Sequence, residues 1–167
     1  FIAPGVRDIP PQGEFRQITT VFLSFDNIPS FVELIKLLHE HANRYGGTFS
    51  GVDSGDKGIN CVIHFGAPIM HENDLERALD FVLGLRKEAP KGMMLRAGVT
   101  HEARYAGFNG GTNRREFACL GRATNLAARL MIKAPWRDIW CSPEVYNFAL
   151  DTHQFKRVGE HVFKGFE

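Results

Sequence analysis

The chain has 167 residues, about the length of one domain. Hydrophobic residues make up 44% and charged residues 23%, which excludes disorder, collagen and coiled coil as the main state. A formal net charge of +1 gives no electrostatic basis for binding nucleic acid or an anionic membrane. No apolar run approaches the roughly 18–20 residues of a spanning helix, so we expect no membrane segment in this chain.

The cysteines indicate a reducing compartment. There are three, Cys61, Cys119 and Cys141, an odd number with no close pair, and each has apolar neighbours. A disulfide framework and a CxxC metal site are therefore not expected. The first residues also lack the cationic and apolar regions of a signal peptide, so we expect a cytoplasmic protein.

The sequence divides into a short lead-in and one domain. Residues 1–14 contain Pro4, Pro10 and Pro11 and predict a linker or extended lead-in, and residues 15–167 form the domain. The chain does not start with Met and ends without a polar tail. We therefore expect it to be a segment of a longer protein.

The first half of the domain alternates strands and helices. Residues 18–25 are rich in β-branched and aromatic side chains and predict a strand. Apolar residues then follow a helical period from Phe31 to Tyr45, and a glycine pair ends that helix. Two strands, residues 48–52 and 59–65, precede a second helix that Asn73 or Asp74 could cap.

The second half contains more strands. The predicted elements are strands at 94–101 and 103–108, a hairpin tip at 109–115, a strand at 116–120, a helix after Gly121, a short strand, a short helix and a terminal hairpin in residues 153–165. The first six elements follow the split βαβ order. The order predicts an α+β fold with a ferredoxin-like core, a mostly antiparallel sheet and helices packed on one of its faces.

Standard phosphate and zinc motifs are absent. The chain contains no GxxxxGK[ST], no GxGxxG and no HExxH. His64 lies in a predicted strand beside Phe65, and a packed histidine is a better interpretation there than a metal ligand.

The third helix, GRATNLAARLMIKAP, carries the chemistry. Asn125 and Arg129 are four residues apart and share a face opposite the apolar stripe. An amide and a guanidinium suit an orienting hydrogen bond and phosphate binding, respectively. The alternative is a solvated face with Arg129 in an ion pair, and spacing alone favours this alternative.

Three stretches together resemble the class III nucleotidyl cyclase catalytic domain. They are YGG through FGAP (45–68), RAGVTHEARYAGFNGGTNRREFACLGRATNLAARL (96–130) and VFKGF (162–166). The resemblance covers residues 16–167. Because DKG (56–58) precedes CVIHFG, the chain is most similar to the second catalytic domain of bicarbonate-responsive soluble adenylyl cyclases.

The resemblance implies a site shared by two domains that pair head to tail. One face supplies two aspartates for two Mg²⁺ or Mn²⁺ ions, and the other binds the nucleotide for in-line attack that releases pyrophosphate. By position, Asn125 matches the ribose-orienting Asn and Arg129 the Arg that stabilises charge at the α-phosphate. Lys164 matches the Lys that holds the terminal phosphates.

Four positions depart from the family pattern. Ser24 and Ile59 stand where the metal aspartates would be, so we expect this chain to bind no metal by itself. A shifted role for Asp26 or Asp56 stays open. Gly51 and Ala118 stand at the purine-reading positions and offer no side-chain donor or acceptor, so base selection at this substrate-binding surface would rest on backbone groups such as those around Cys119.

The leading hypothesis is therefore the partner half of a nucleotidyl, most simply adenylyl, cyclase. It would act on ATP or GTP with a metal-bearing domain, or form a head-to-tail homodimer, and would be inactive alone. Metal would enter only through the partner domain. The alternative is a catalytically inactive cyclase-homology module with a regulatory or dimerisation role. A third option, a ferredoxin-like interaction domain of purely architectural likeness, is the least favoured.

Overall fold

The computed structural model describes residues 13–55, 58–111, 115–163 and 165. Its elements, in chain order, are β1 (Glu14–Asp26), α1 (Phe31–Tyr45), β2 (Thr48–Gly55), β3 (Gly58–Phe65), α2 (Asp74–Glu88), β4 (Met94–Gly110), β5 (Arg115–Leu120), α3 (Ala123–Lys133), β6 (Ile139–Cys141) and α4 (Pro143–Ala149). Of the predicted lead-in, only residues 13 and 14 are described, and Glu14 already begins β1.

The strands form one sheet with the order β2-β3-β1-β4-β5. All of these neighbours are antiparallel, and β6 joins β4 as a parallel strand. The first four strands and the two helices between them have the ferredoxin-like arrangement. The predicted α+β class and mostly antiparallel sheet are thus confirmed.

Local signals in the sequence place the first helix. Ser30 is extended and its side chain accepts a hydrogen bond of 3.3 Å from the Glu33 amide, which caps the first turn. Gly46 ends the helix with φ of 78°, a left-handed conformation that glycine adopts at little cost. The prediction of a helix over residues 31–45 is confirmed.

One face of the sheet carries the main core. Alternate residues of β1, Val21, Leu23 and Phe25, are at most 1% exposed. They pack with buried residues of α1, α2 and α4, so these three helices cover the same face. The alternation follows from the two-residue period of a strand, which puts neighbouring side chains on opposite faces.

The opposite face holds α3, so the prediction that the helices share one face is wrong. Phe22 pairs with Gly98 in the neighbouring strand, and both positions are on the sheet face opposite to Val21 and Leu23. A Cβ at Gly98 would lie 1.9 Å from the Ala127 carbonyl oxygen in α3. The missing side chain lets the helix backbone rest directly on the sheet.

Two other predictions are wrong. The segments 94–101 and 103–108 form one strand, because β1 pairs with β4 without interruption from Glu14 to Asp26. The terminal hairpin is absent from the described part of 153–165, where Phe163 makes only an isolated bridge. Val158 is 49% exposed and Val162 is 79% exposed, so β propensity there lacks the packing that stabilises a strand.

In the described residues, no helix is long and apolar enough to cross a membrane.

Candidate functional site

A cleft of about 310 Å³ opens on the same face of the sheet as α3, beside the first turn of that helix. Phe22 and His64 contribute from β1 and β3, Gly51 from β2, and Ala118 and Cys119 from β5. Thr124, in the first turn of α3, completes the lining on that side. The fold thus brings together positions that lie far apart in the sequence, including both positions that the resemblance assigns to the purine.

The β5 side of the cleft is held in place by a buried arginine. Ala118 and Cys119 are half-buried, and the Cys119 carbonyl accepts a hydrogen bond of 2.6 Å from Nη2 of Arg104. Burial also raises the pKa of the Cys119 thiol to about 11, so the thiol is protonated at neutral pH. The backbone around Cys119 therefore offers a fixed surface to a bound molecule.

The third helix carries the two polar residues singled out from the sequence. Asn125 directly follows Thr124 and is exposed, while Arg129 lies one turn further along α3 and is half-buried. Neither is among the residues that line the cleft, and of the two only Asn125 adjoins a lining residue. Lys164 lies outside the described residues, so its predicted place beside the terminal phosphates stays a prediction.

The two positions of the family's metal aspartates do not fit a divalent cation. Ser24 is fully buried, and its hydroxyl has no hydrogen-bond partner in the described part of the chain. Ile59 packs against the main core, and its hydrocarbon side chain has no atom that could bind a metal ion. In this family aspartate carboxylates hold Mg²⁺ or Mn²⁺, and neither Ser24 nor Ile59 has a carboxylate.

The open alternatives for a metal ligand are also weak. Asp26 is exposed, and its Oδ1 accepts a hydrogen bond of 2.8 Å from the backbone amide of the next residue, Asn27. Asp56 lies outside the described residues. Among residues 13–55, 58–111, 115–163 and 165, no group of three His, Cys, Asp or Glu could hold a metal ion.

Arg104 is the main residue of this region that the sequence analysis missed. It is 2% exposed, and no carboxylate among the described side chains lies within ion-pair distance of its guanidinium. Burial lowers its pKa, yet an arginine stays charged under all ordinary conditions. One signal was available, since Arg104 stands an even number of residues from Gly98 in a strand and so shares its face.

His64 is a second buried group beside the cleft. It is 5% exposed, and its Nδ1 lies 3.1 Å from the hydroxyl of Thr20. Burial, and next the charge of Arg104, lower the pKa of His64 to about 3, so the ring is neutral at physiological pH. The structure agrees with a packed histidine, and it adds that the ring lines a cleft.

The overall structure matches known nucleotidyl cyclases. The adenylyl cyclase CyaB from P. aeruginosa superposes with a TM-score of 0.72 at 22% identity, covering 93% of this chain and 91% of that one. The catalytic core of a rhodopsin-guanylyl cyclase with converted specificity, in complex with ATPαS, gives 0.73 at 19% identity and 90% coverage of each chain. The guanylate cyclase domain of RhGC from Catenaria anguillulae, in complex with GTP, gives 0.64 at 19% identity, covering 80% of this chain and 82% of that one.

Sequence comparison alone finds less. No family model matches the chain, and no curated protein matches it. The structural matches extend over at least four-fifths of this chain and include both adenylyl and guanylyl cyclases. The chain therefore has the fold of the class III adenylyl and guanylyl cyclase catalytic domains, as the sequence resemblance implied.

Proposed function

We propose that the chain is the nucleotide-binding half of a class III nucleotidyl cyclase. The observation that carries this proposal is the cleft, in which Gly51, Ala118 and Cys119 meet the first turn of α3. By the resemblance, Gly51 and Ala118 stand at the purine-reading positions of the cyclase family, and the backbone around Cys119 lies beside them. Asn125 directly follows Thr124 of the cleft lining, and Arg129 lies one turn further along the same helix, and we propose that they reach the ribose and the α-phosphate of the bound nucleotide.

The proposed residues supply positioning and charge. The Asn125 amide orients the ribose so that its 3′-hydroxyl lies in line with the α-phosphorus. The Arg129 guanidinium stabilises the negative charge that builds on the α-phosphate oxygens during attack. Lys164 holds the terminal phosphates, which leave as pyrophosphate. These three side chains act by orientation and electrostatics.

This half needs a partner. Ser24 and Ile59 cannot hold the metal ions of the family, so a metal-bearing cyclase domain would have to supply them. A head-to-tail homodimer would contain two copies of the nucleotide-binding face and no standard metal ligands. We therefore expect no significant turnover from the chain alone, and we propose that it works in a cytoplasmic heterodimer or a fused pair of domains.

The substrate is a purine nucleoside triphosphate, and we propose ATP. Gly51 and Ala118 lack side-chain donors and acceptors, so neither position excludes GTP by itself. Comparing ATP with GTP in the assay below tests this part of the proposal separately from the cyclase activity.

The test is a complementation assay. This chain is mixed with a class III cyclase domain that keeps both metal aspartates but has lost its own ribose-orienting Asn and transition-state Arg. Cyclic nucleotide formation is measured with Mn²⁺ and ATP or GTP, for each domain alone and for the mixture. Wild type is compared with Arg129→Ala, and Lys133→Ala on the same helix is the matched control because Lys133 is exposed.

Activity that requires the mixture, that falls at least about 100-fold in Arg129→Ala and that persists in Lys133→Ala would support the proposal. Arg129-dependent turnover by the chain alone would contradict the need for a partner. A stable mixed dimer with no activity would contradict the catalytic role.

The second candidate function is a catalytically inactive module that binds a nucleotide or dimerises. The specific observation in its favour is that Ile59, at one of the family's metal positions, is a half-buried apolar side chain that packs against the core. In that case nucleotide binding or dimerisation is measurable by calorimetry or sedimentation, and no partner restores turnover.

A further inference from the structure

Three buried polar side chains form a chain that ends at the cleft. Nη1 of Arg104 lies 2.5 Å from the hydroxyl oxygen of Thr20, and that oxygen lies 3.1 Å from Nδ1 of His64. All three residues are at most 5% exposed, and they come from the adjacent strands β4, β1 and β3. Nη2 of Arg104 also donates to the Cys119 carbonyl and to Thr124, so the guanidinium cannot easily turn away.

The chemistry of these groups limits the direction of each hydrogen bond. A guanidinium only donates, so Thr20 must accept from Arg104. The Thr20 hydroxyl keeps one hydrogen and one further lone pair for its contact with His64, and we assign the hydrogen to that contact. With this assignment Nδ1 of His64 accepts, and a neutral His64 ring carries its hydrogen on Nε2.

The other ring nitrogen is the one available to a ligand. His64 lines the cleft, and its Nε2 makes no hydrogen bond to another described residue. This nitrogen is also not completely enclosed by protein atoms. Gly51 lines the same cleft, and a Cβ there would meet no atom within 4 Å, so that position is open. In its Nε2–H form, His64 therefore contributes an N–H donor to a cleft in which Gly51 contributes no side chain.

We propose that His64 reads the purine base of the bound nucleotide by donating a hydrogen bond from Nε2–H to an acceptor of the base. Thr20 and Arg104 are positioning residues, because they fix the tautomer without touching the ligand. The inference rests on the proposed function, since it takes a purine nucleotide as the ligand of the cleft. The Nε2–H group of His64 takes the place of the side-chain donor that Gly51 cannot provide.

The first experiment needs no ligand. Long-range ¹H–¹⁵N spectra of the histidine rings report which nitrogen carries the hydrogen. We expect the Nε2–H form for His64 throughout pH 5–8, and in Thr20→Val a change in the ring nitrogen shifts. A wild-type His64 ring in the Nδ1–H form would overturn the inference, whatever the binding results.

The second experiment measures affinity by calorimetry for ATP and its 1-deaza, 3-deaza and 7-deaza analogues, each lacking one acceptor nitrogen. We expect wild type to bind one analogue about 3–10-fold more weakly than ATP, the loss of one neutral hydrogen bond. In His64→Leu that difference should fall to within about twofold, because the donor is gone. Equal binding of ATP and all three analogues by wild type would overturn the inference.

The chain offers a matched control. His101 is also bonded to a threonine, with Nδ1 2.8 Å from the Thr19 hydroxyl, but its ring packs against Phe148 of α4 on the main-core face. His101→Leu should keep the discrimination among the analogues, and its loss in that variant would contradict a specific role for His64. Weaker binding of ATP and all its analogues in Arg129→Ala would support the proposed function even if the His64 inference fails. Failure of wild type to bind any nucleotide would contradict both, and the ring spectra would still report the tautomer.

Discussion

Nη2 of Arg104 lies 2.8 Å from the hydroxyl oxygen of Thr124, and this hydrogen bond joins β4 to the first turn of α3. The same guanidinium also holds Thr20 in β1 and the Cys119 carbonyl in β5. One buried side chain thus links three strands to the helix that carries Asn125 and Arg129. The orientation of that helix toward the cleft depends on a residue outside the cleft lining.

Arg104→Lys tests whether the shape of this side chain matters beyond its charge. A lysine keeps the charge, but its single ammonium group cannot reach three acceptors in a planar fork. We expect the free energy of unfolding to fall by about 2–3 kcal/mol, since buried acceptors lose a charged donor. Urea denaturation measures this. Arg44→Lys is the control and should leave the free energy of unfolding nearly unchanged, because the ion pair of Arg44 with Glu88 is half exposed.

Gly98→Ala tests the direct contact between the sheet and α3. The added Cβ would lie 1.9 Å from the Ala127 carbonyl oxygen and 2.7 Å from the Met131 nitrogen, which are both backbone atoms. Helix and sheet must move apart, so we expect a loss of about 3 kcal/mol or more in unfolding free energy. Gly51→Ala, where a Cβ meets nothing within 4 Å, should change it by less than about 1 kcal/mol. Similar losses in both variants would contradict this account of the packing.

Ser24→Ala tests the buried hydroxyl at a family metal position. Its Oγ has no partner in the described part of the chain, so removing it relieves an unsatisfied polar group. We expect the variant to be as stable as wild type or more stable by up to about 1 kcal/mol. Thr100→Val provides the contrast, since it breaks a bond of 3.2 Å from the Thr100 hydroxyl to the Ala123 carbonyl and should destabilise. Thermal melts with and without Mn²⁺ would contradict our interpretation if Mn²⁺ stabilised wild type but not Ser24→Ala.

The low pKa of His64 predicts a loss of stability in acid. Burial and Arg104 hold the pKa at about 3 in the folded state, against about 6.5 in the unfolded chain. Below pH 6.5 the unfolded state therefore binds more protons, so the free energy of unfolding falls as the pH drops from about 6.5 toward 3. The slope is at most about 1.4 kcal/mol per pH unit.

His64→Gln should remove this part of the pH dependence, which denaturation curves at pH 7 and pH 5 measure. Burial also lowers the pKa of His101, whose contribution has the same sign and is present in both proteins. The comparison between wild type and His64→Gln therefore isolates His64. An identical pH dependence in the two proteins would contradict the buried neutral state of His64.

Much of this protein was predictable from its sequence because the signals are local. The period of apolar residues predicted α1 and most of the strands, and the glycine pair at positions 46 and 47 predicted the end of that helix. The spacing within GRATNLAARL predicted a polar face with Asn125 and Arg129, and the resemblance added a nucleotide cleft around Ala118 and Cys119. The helix and strand predictions rest on residues close together in the chain, whereas the resemblance rests on three stretches spread over residues 45–166.

Tertiary structure decided what depends on pairing between distant residues. Periodicity identifies the apolar stripe of α3 but not the sheet face it covers, and Gly98 decided that by leaving room for the helix backbone. The terminal segment has strand propensity yet forms no hairpin in its described part, because propensity without packing does not stabilise a strand. The link from Arg104 through Thr20 to His64 joins residues up to 84 positions apart, and only the register of β1 with its two neighbours brings these groups into contact.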